Sequence, residues 1–538
     1  MPPKEKKGLA TLPPELLLKV ASFLPVSALA ALSKTCKALH FQLEPSLHKS
    51  IDWKFPLGDH AKASSEYLLL RTLLRRPLLA PYIKSVSIYA HNERKFSRNS
   101  FPCELEVIRK LCEPFPETFE RLALSGDPGV MTVLLLFRLR HLNVLVLHPE
   151  ISISVSRLVD RYLSETGRYL ITHPYFHQLK EVYLPSPFEV GWIANDIKEL
   201  VRILPNLPSL EVLDIFLGHT IGEPLELLSQ VPLQLPRLST LGIINGSCEM
   251  KTVASLFSAA PNLVTLEYHL SQDMVGNSFK NLPWGEWANL VASLKVVSKT
   301  FKSLTISTGG WDRRDSESNW RASESQYSAW ERQGQLSSSN SLDVLERLDV
   351  PIFALLGCRP NFSAKKLQDI LPSSLRELCI RDDINYGKAF NWVPRLPLDK
   401  FWHSHDILEQ LRDYLPNRSH NIEGKYPAPS LRKLPLRMRP ATSWSHDDLA
   451  TLRDICRGAG VMCTVLERLE GEDHGTGRCC VPRDEPVSIW TEKRCCYVKE
   501  VTLYDPSDST PTPKDSGKGL EYKSRVFHQP GRVVPYRG

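Results

Sequence analysis

The residues of this chain best suited to chemistry are two pairs of adjacent cysteines, Cys479-Cys480 and Cys495-Cys496, with fourteen residues between the pairs and His474 upstream. Thiolates and an imidazole are donors that zinc accepts, but a structural zinc site spaces its paired ligands about two to four residues apart. Adjacent residues of an extended segment point to opposite sides, so the spacing favours reduced, incidental thiols and no metal. A general base is the other possibility. His141, His148, His173 and His177 stand among core-like positions, where an imidazole is structural rather than catalytic. The sequence contains no G-x-S-x-G elbow, no H-E-x-x-H, no G-x-x-x-x-G-K loop and no Rossmann glycine fingerprint. No catalytic residue, metal ligand or cofactor is therefore expected, and the chain does not read as an enzyme.

The elements that would position such groups must be inferred from length and pattern. At 538 residues the chain exceeds the roughly 100 to 200 residues of one domain, which implies several domains or one extended repeat architecture. Hydrophobic residues at 42% and charged residues at 24% are those of a folded protein with an ordered core. The net charge of +7 is spread thinly, and basic runs such as Lys4 to Lys7 and Arg75-Arg76 are short. No continuous phosphate-tracking surface results, so nucleic acid is not an expected partner. Of the 12 cysteines, Cys36, Cys379 and Cys456 lie in apolar segments, the usage of reduced core thiols in a cytoplasmic and/or nuclear protein. No apolar run reaches the roughly 18 to 20 residues needed to span a bilayer, so no membrane partner is expected. The leucine-rich stretch after Lys7 is interrupted by Pro13, Pro14, Glu15, Lys19 and Pro25, which argues against a signal peptide.

That stretch reads LPPELLLKVASFLPVSALAALSKTCKAL from Leu12. Pro13 and Pro14 suit a first helical turn, and Glu15 lies where the helix dipole favours negative charge. Leu16, Leu17, Val20, Phe23 and Leu24 give a helix with one apolar face, ended by Pro25. Ser27 is the expected N-cap of a second helix carrying Leu29 and Leu32, and a third carries Cys36 and Leu39. Three helices in so short a segment cannot bury all of their apolar side chains. The surplus either packs on the rest of the chain or docks a partner, and periodicity alone leaves both readings open.

Leu12-Pro13, Glu15, Leu16, Leu17, Val20, Phe23-Leu24-Pro25, Leu29, Leu32 and Cys36, followed by Lys37 and Leu39, resemble an F-box in order and spacing. The acidic residue common after the LP turn is absent, since Val26, Ser27 and Ala28 stand there, which bears on a capping detail. The resemblance implies that Leu12, Pro13, Leu16, Leu17, Val20, Phe23, Leu24, Pro25, Leu29, Leu32 and Cys36 are divided between contact with a Skp-type adaptor and the module's own core. The stretch from Leu70 through Leu74, Pro77, Leu79 to Tyr82 and Ile83 to Val86 looks like the junction into degenerate leucine-rich repeats of fungal-type F-box proteins.

Beyond residue 80 a pattern recurs: an apolar residue, two variable, an apolar, one variable, an apolar. It is carried by Ile83/Val86/Ile88, Phe119/Leu122/Leu124, Leu142/Leu145/Leu147, Leu179/Val182/Leu184 and Leu210/Leu213/Ile215. It continues through Leu238/Leu241/Ile243, Leu263/Leu266/Tyr268, Phe301/Leu304/Ile306, Leu345/Leu348/Val350, Leu375/Leu378/Ile380 and Leu431/Leu434/Leu436. The final alternating pair is strand-like, and the recurrence of roughly 23 to 44 residues for most units brackets and exceeds the 20 to 29 of regular leucine-rich repeats. Helical patterns intervene, at Ile197, Leu200, Val201 and Leu204 after Asn195, and at Trp287, Leu290, Val291, Leu294 and Val297.

The expected fold is α/β: a small all-α three-helix F-box, then an irregular leucine-rich-repeat solenoid of parallel strands alternating with helices. The expected segments are a basic tail (1–7), the F-box (8–50), a helical linker (51–80), the repeats (81–466) with a serine- and tryptophan-rich insertion (309–341), and a partly disordered tail (467–538). The resemblance implies a substrate-recognition subunit of an SCF-type E3 ubiquitin ligase, which reaches a cullin through the adaptor and holds a target protein on the repeats. An adaptor-bound scaffold acting outside a ligase is the alternative.

Overall fold

The structure is a computed structural model. It describes residues 9, 12–55, 65–90, 109, 112, 117–124, 128–147, 176–184, 207–216, 234–244, 250–271, 287–309, 336, 342–357, 366–381, 402–415, 430–438, 444–468, 497–507 and 524–528. The paired cysteines 479–480 and 495–496, His474, His148, His173, the helical pattern at 197–204 and most of the insertion at 309–341 lie outside the described residues. The fold is mixed α/β, with a helical N-terminal region followed by parallel strands. Two compact units divide between Asp214 and Ile215. Among the described residues no helix is long and apolar enough to cross a membrane.

The first unit begins with α1 (Pro14–Ala21), α2 (Val26–Ser33) and α3 (Lys37–Leu47), which lead into strand β1 (Ser50–Phe55). The segment expected as a purely helical linker thus opens with a strand, and continues through α4 (Ser65–Arg75) and a 3-10 helix (Pro77–Tyr82). Strands β2 (Ser85–Ala90), β3 (Val144–Leu147) and β4 (Glu181–Leu184) follow, and β1 to β4 pair in parallel in chain order. One carbonyl serves each crossing. Lys49 O accepts the N–H groups of both Lys84 and Ser85, Lys84 O those of Asn143 and Val144, and Asn143 O those of Lys180 and Glu181.

In the second unit β6 (Thr240–Ile244), β7 (Thr265–Ser271), β8 (Ser303–Gly309), β9 (Arg347–Pro351), β10 (Glu377–Arg381), β11 (Lys433–Met438) and β12 (Met462–Arg468) run parallel in chain order. Register stacks like on like: Leu241 on Leu266, Leu266 on Leu304, Leu304 on Leu348 and Leu348 on Leu378. All five side chains are fully buried. The shared carbonyl recurs, with Val264 O, Lys302 O, Glu346 O and Arg376 O each accepting two successive N–H groups of the next strand. Each leucine buries itself against its neighbours in register. The helix Trp287–Leu294 and the 3-10 turn Lys295–Val297 lie where the sequence places them, with Leu290, Val291, Leu294 and Val297 buried.

In ten of the eleven patterned triplets the last two residues lie on a strand and the first stands two residues before it, β5 (Val212–Phe216) included; the exception is instructive. Phe119, Leu122 and Leu124 belong to a helix, Glu117–Leu124, whose first turn holds Glu117 and Glu120 and which buries Phe119 and Ala123 one turn apart. Acidic residues at the N-terminus and a four-residue apolar spacing favour helix over strand. Two of the parallel strands, β1 and β12, carry no full triplet. In β1 the first position is His48, and in β12 it is Gly460, with Cys463 opposite Leu434 and Val465 opposite Leu436. Leu336, inside the supposed insertion, is fully buried and donates its N–H to Ala354 O at 2.8 Å, as Leu235 does to Ala259 O. The tail contains two strands, β13 (Tyr497–Tyr504) and β14 (Ser524–His528), which extend β12 antiparallel.

Candidate functional site

Among the described residues, the large apolar side chains left in water are concentrated in the N-terminal helices. Leu9, Leu16, Leu18, Val20, Phe23, Val26 and Phe41 are exposed, as are Leu78 and Tyr82 of the 3-10 helix; Val296 is the remaining one. Concentration of exposed apolar groups on one small module makes it the candidate interaction site among the described residues.

Helix α1 shows how the sequence produces this. Pro14 at its first position and Glu15 in its first turn start the helix, and Lys19 lies in its last turn. Leu17, Ala21 and Leu24 follow an i, i+4, i+7 stripe that turns inward, with Leu17 fully buried and Leu24 packed on the core. Leu16, Val20 and Phe23 form the neighbouring stripe and stay outside, Leu16 at 51% and Phe23 at 79% exposure. The single apolar face expected from the sequence is therefore two faces, one for the fold and one for water.

The core is small: Leu17, Ala21, Leu29, Leu39 and Leu43, with Leu24, Leu32 and Leu47 packed against it. Ser27 is not the cap of α2. The helix starts at Val26 after Pro25, without a side-chain cap, and Leu29 N–H donates to Pro25 O at 3.0 Å. The missing acidic residue after the LP turn thus corresponds to an uncapped helix start. Cys36 lies just outside α3 rather than within a helix. Its exposed Sγ accepts the Leu39 N–H at 3.5 Å, so this thiol is a cap and not the core thiol that its apolar setting suggested.

Of the residues expected to divide between adaptor contact and core, Leu17 and Leu29 are core, Leu24 and Leu32 are partly buried against it, and Leu12 is half-buried. Pro13, Leu16, Val20, Phe23, Pro25 and Cys36 are exposed. Leu9, Leu18, Val26 and Phe41 were missed. Phe41 was legible in principle, since it falls opposite Leu39 and Leu43 on α3. An ion pair between Arg76 and Glu44 ties the end of α4 to α3. Burial lowers the pKa of His48 beside them, and Arg76 and His40 lower it further against the pull of Glu44.

Among the described residues no catalytic or metal site assembles. His177 is exposed, and His141 places Nδ1 3.2 Å from Oε1 of Gln178 in an exposed contact, so neither is a core residue. Among the described residues no group of three histidines, cysteines or carboxylates could hold a metal.

A family profile described as F-box-like matches residues 9–52. No curated protein matches the chain. The matched span covers α1, α2, α3 and the start of β1.

Proposed function

From the F-box-like domain at residues 9–52, we propose that the chain is the substrate-recognition subunit of an SCF-type E3 ubiquitin ligase, docking a Skp-type adaptor through Leu16, Val20, Phe23 and their exposed neighbours. The observation that carries this is the paired stripes of α1: one stripe makes a core, and an equally apolar one is left for a partner. Leu17 and Leu29 serve the contact indirectly, by holding the helices that present it. The parallel strands form an irregular leucine-rich-repeat solenoid of fungal type, and a target protein binds there. Ubiquitin transfer then follows from position: target lysines are held near a charged enzyme that a cullin brings, which raises effective concentration. The chain supplies no catalytic residue or cofactor, and works in the cytoplasm and/or nucleus.

The test is capture of purified adaptor by the wild-type chain and by a Leu16→Asp/Phe23→Asp variant. These exposed positions can change without opening the core. Binding lost in a variant with an unchanged melting temperature supports the docking face; equal binding by both proteins refutes it. Adding the cullin separates a ligase subunit, which co-captures it, from a scaffold outside the ligase, which does not.

A further inference from the structure

In the second unit, strands β9, β10 and β11 carry charge on the side opposite their leucines. Lys433, Pro435 and Arg437 alternate along β11 with the buried Leu434 and Leu436, so they share one face. Register sets Lys433 beside Glu377 and Arg437 beside Arg381. Two arginines side by side on adjacent strands repel, and Asp349 of β9 holds them together. This carboxylate is 1% exposed, with Oδ2 3.2 Å from Arg437 and Oδ1 3.6 Å from Arg381. Glu377 is engaged by Arg347 at 3.4 Å. The face therefore bears four bases, Arg347, Arg381, Lys433 and Arg437, against two acids, Asp349 and Glu377.

Stability alone does not account for this cluster, because desolvating a buried ion pair costs about as much as the pairing returns. Among the described residues Arg437 Nε and Asp349 Oδ1 are buried without a hydrogen-bond partner. Lys433 is exposed and makes no ion pair among the described residues. The two stand four residues apart on one strand, about 13 Å at 3.3 Å per residue, which matches alternate same-side positions of an extended peptide laid along β11. Single-stranded nucleic acid fits less well, since it needs aromatic platforms for its bases, and the strand residues of this face are charged, cysteine or proline.

We propose that the face of β9 to β11 opposite the leucines binds the anionic side chains of an extended acidic peptide, with Lys433 and Arg437 as contact residues and Asp349 positioning Arg437. This deepens the reading of the strands as a target-binding array and rests on it for the partner being a target. Guanidinium and ammonium groups take carboxylate or phosphate oxygens through charge-assisted hydrogen bonds, so both anions belong to the proposal.

Fluorescence anisotropy on the full chain tests it with three labelled probes: a peptide of alternating glycine and glutamate, its phosphoserine counterpart, and a thymidine oligonucleotide of matched charge. The Lys433→Ala/Arg437→Ala variant should bind the peptides at least tenfold more weakly, whereas Lys34→Ala/Lys37→Ala, on the helical module, should change binding less than twofold. Asp349→Asn should weaken binding and add nothing to Arg437→Ala, whereas a merely structural Asp349 would give additive losses. Lys433→Glu, at an exposed position, keeps the test decisive should the buried variants unfold. Tighter binding of the phosphoserine peptide supports the proposal with phosphate as the anion, and equal binding supports it with carboxylate. Three results overturn it: no peptide binding by wild type, equal loss in the lysine control, or the oligonucleotide binding more tightly through Lys433 and Arg437. Adaptor capture on the same samples keeps the two readings apart, since lost peptide binding with intact adaptor binding refutes this inference alone. Peptide binding without adaptor binding removes the ligase reading and leaves the charged face standing.

Discussion

Leu16 and Leu17 are neighbours of the same type on one short helix, yet replacement by alanine should cost the fold far more at Leu17 than at Leu16. Leu17 is fully buried in a core of five residues. Truncation removes three carbon groups at about 0.8 kcal/mol each, and the cavity left behind raises the cost to about 3 to 4 kcal/mol. Leu16 keeps half of its surface in water, leaves no cavity, and regains a few tenths of a kcal/mol from alanine's helix propensity. Its net cost should stay below about 1 kcal/mol. Hydrogen exchange across residues 14–47 measures this directly: Leu17→Ala should speed exchange of the protected amides about a hundredfold or more, and Leu16→Ala less than tenfold. Adaptor capture should fall in both variants, in the first because the helices open and in the second with protection intact. Comparable exchange in the two variants would refute the division of α1 into an inner and an outer stripe.

Leu241→Ala should lower stability by about 2 to 5 kcal/mol in urea titrations, and a Leu241→Ala/Leu266→Ala double variant should lose less than the sum, because the two side chains stack in register. Gly460 ends the helix His446–Ala459 at φ 65°, so Gly460→Val should cost about 1 to 2 kcal/mol and lower the melting temperature, with Gly460→Asn closer to wild type. Maleimide with peptide mapping should label Cys36 in the native protein, and Cys112, Cys379, Cys456 and Cys463 only after unfolding, as their burial requires. Burial, with a smaller contribution from Glu120, pushes the Cys112 thiol from an ordinary 9.0 up to about 11. The folded chain then keeps a proton that the unfolded chain releases, so this contribution is whole below pH 9 and is lost as pH rises toward 11. Denaturation midpoints between pH 8 and 11 should fall less in Cys112→Ala than in wild type.

The strands were legible because register requires the same side chain type at the same offset, and Leu213, Leu241, Leu304 and Leu378 all repeat it. Where the offset holds a different residue the signal fades: His48 and Gly460 hide β1 and β12. Offset alone also misleads, since Phe119 and Ala123 bury one turn apart and make a helix where Leu122 and Leu124 suggest a strand. In the N-terminal helical module, the identity of the apolar residues was readable but not their division. Leu16 and Leu17 differ only by the 100° between consecutive helical positions, and which stripe faces inward is decided by α3, through Leu39 and Leu43. The cluster at Asp349 was invisible, because its partners Arg381 and Arg437 come from strands joined only by pairing.

The carbonyl that accepts two N–H groups at most of the parallel crossings described has a bearing on how such a chain changes over time. Lys302 O fixes where β9 begins across a 44-residue step, and Glu346 O fixes β10 across a 30-residue step, with the same two-donor contact. Alignment is thus renewed at each of these crossings and does not depend on the length of what was traversed. An insertion or deletion between crossings is absorbed where it occurs, and no slip is passed to later strands. Such a scaffold can lengthen or trim its connections one at a time while its leucines keep their partners, and its sequence period drifts without loss of order.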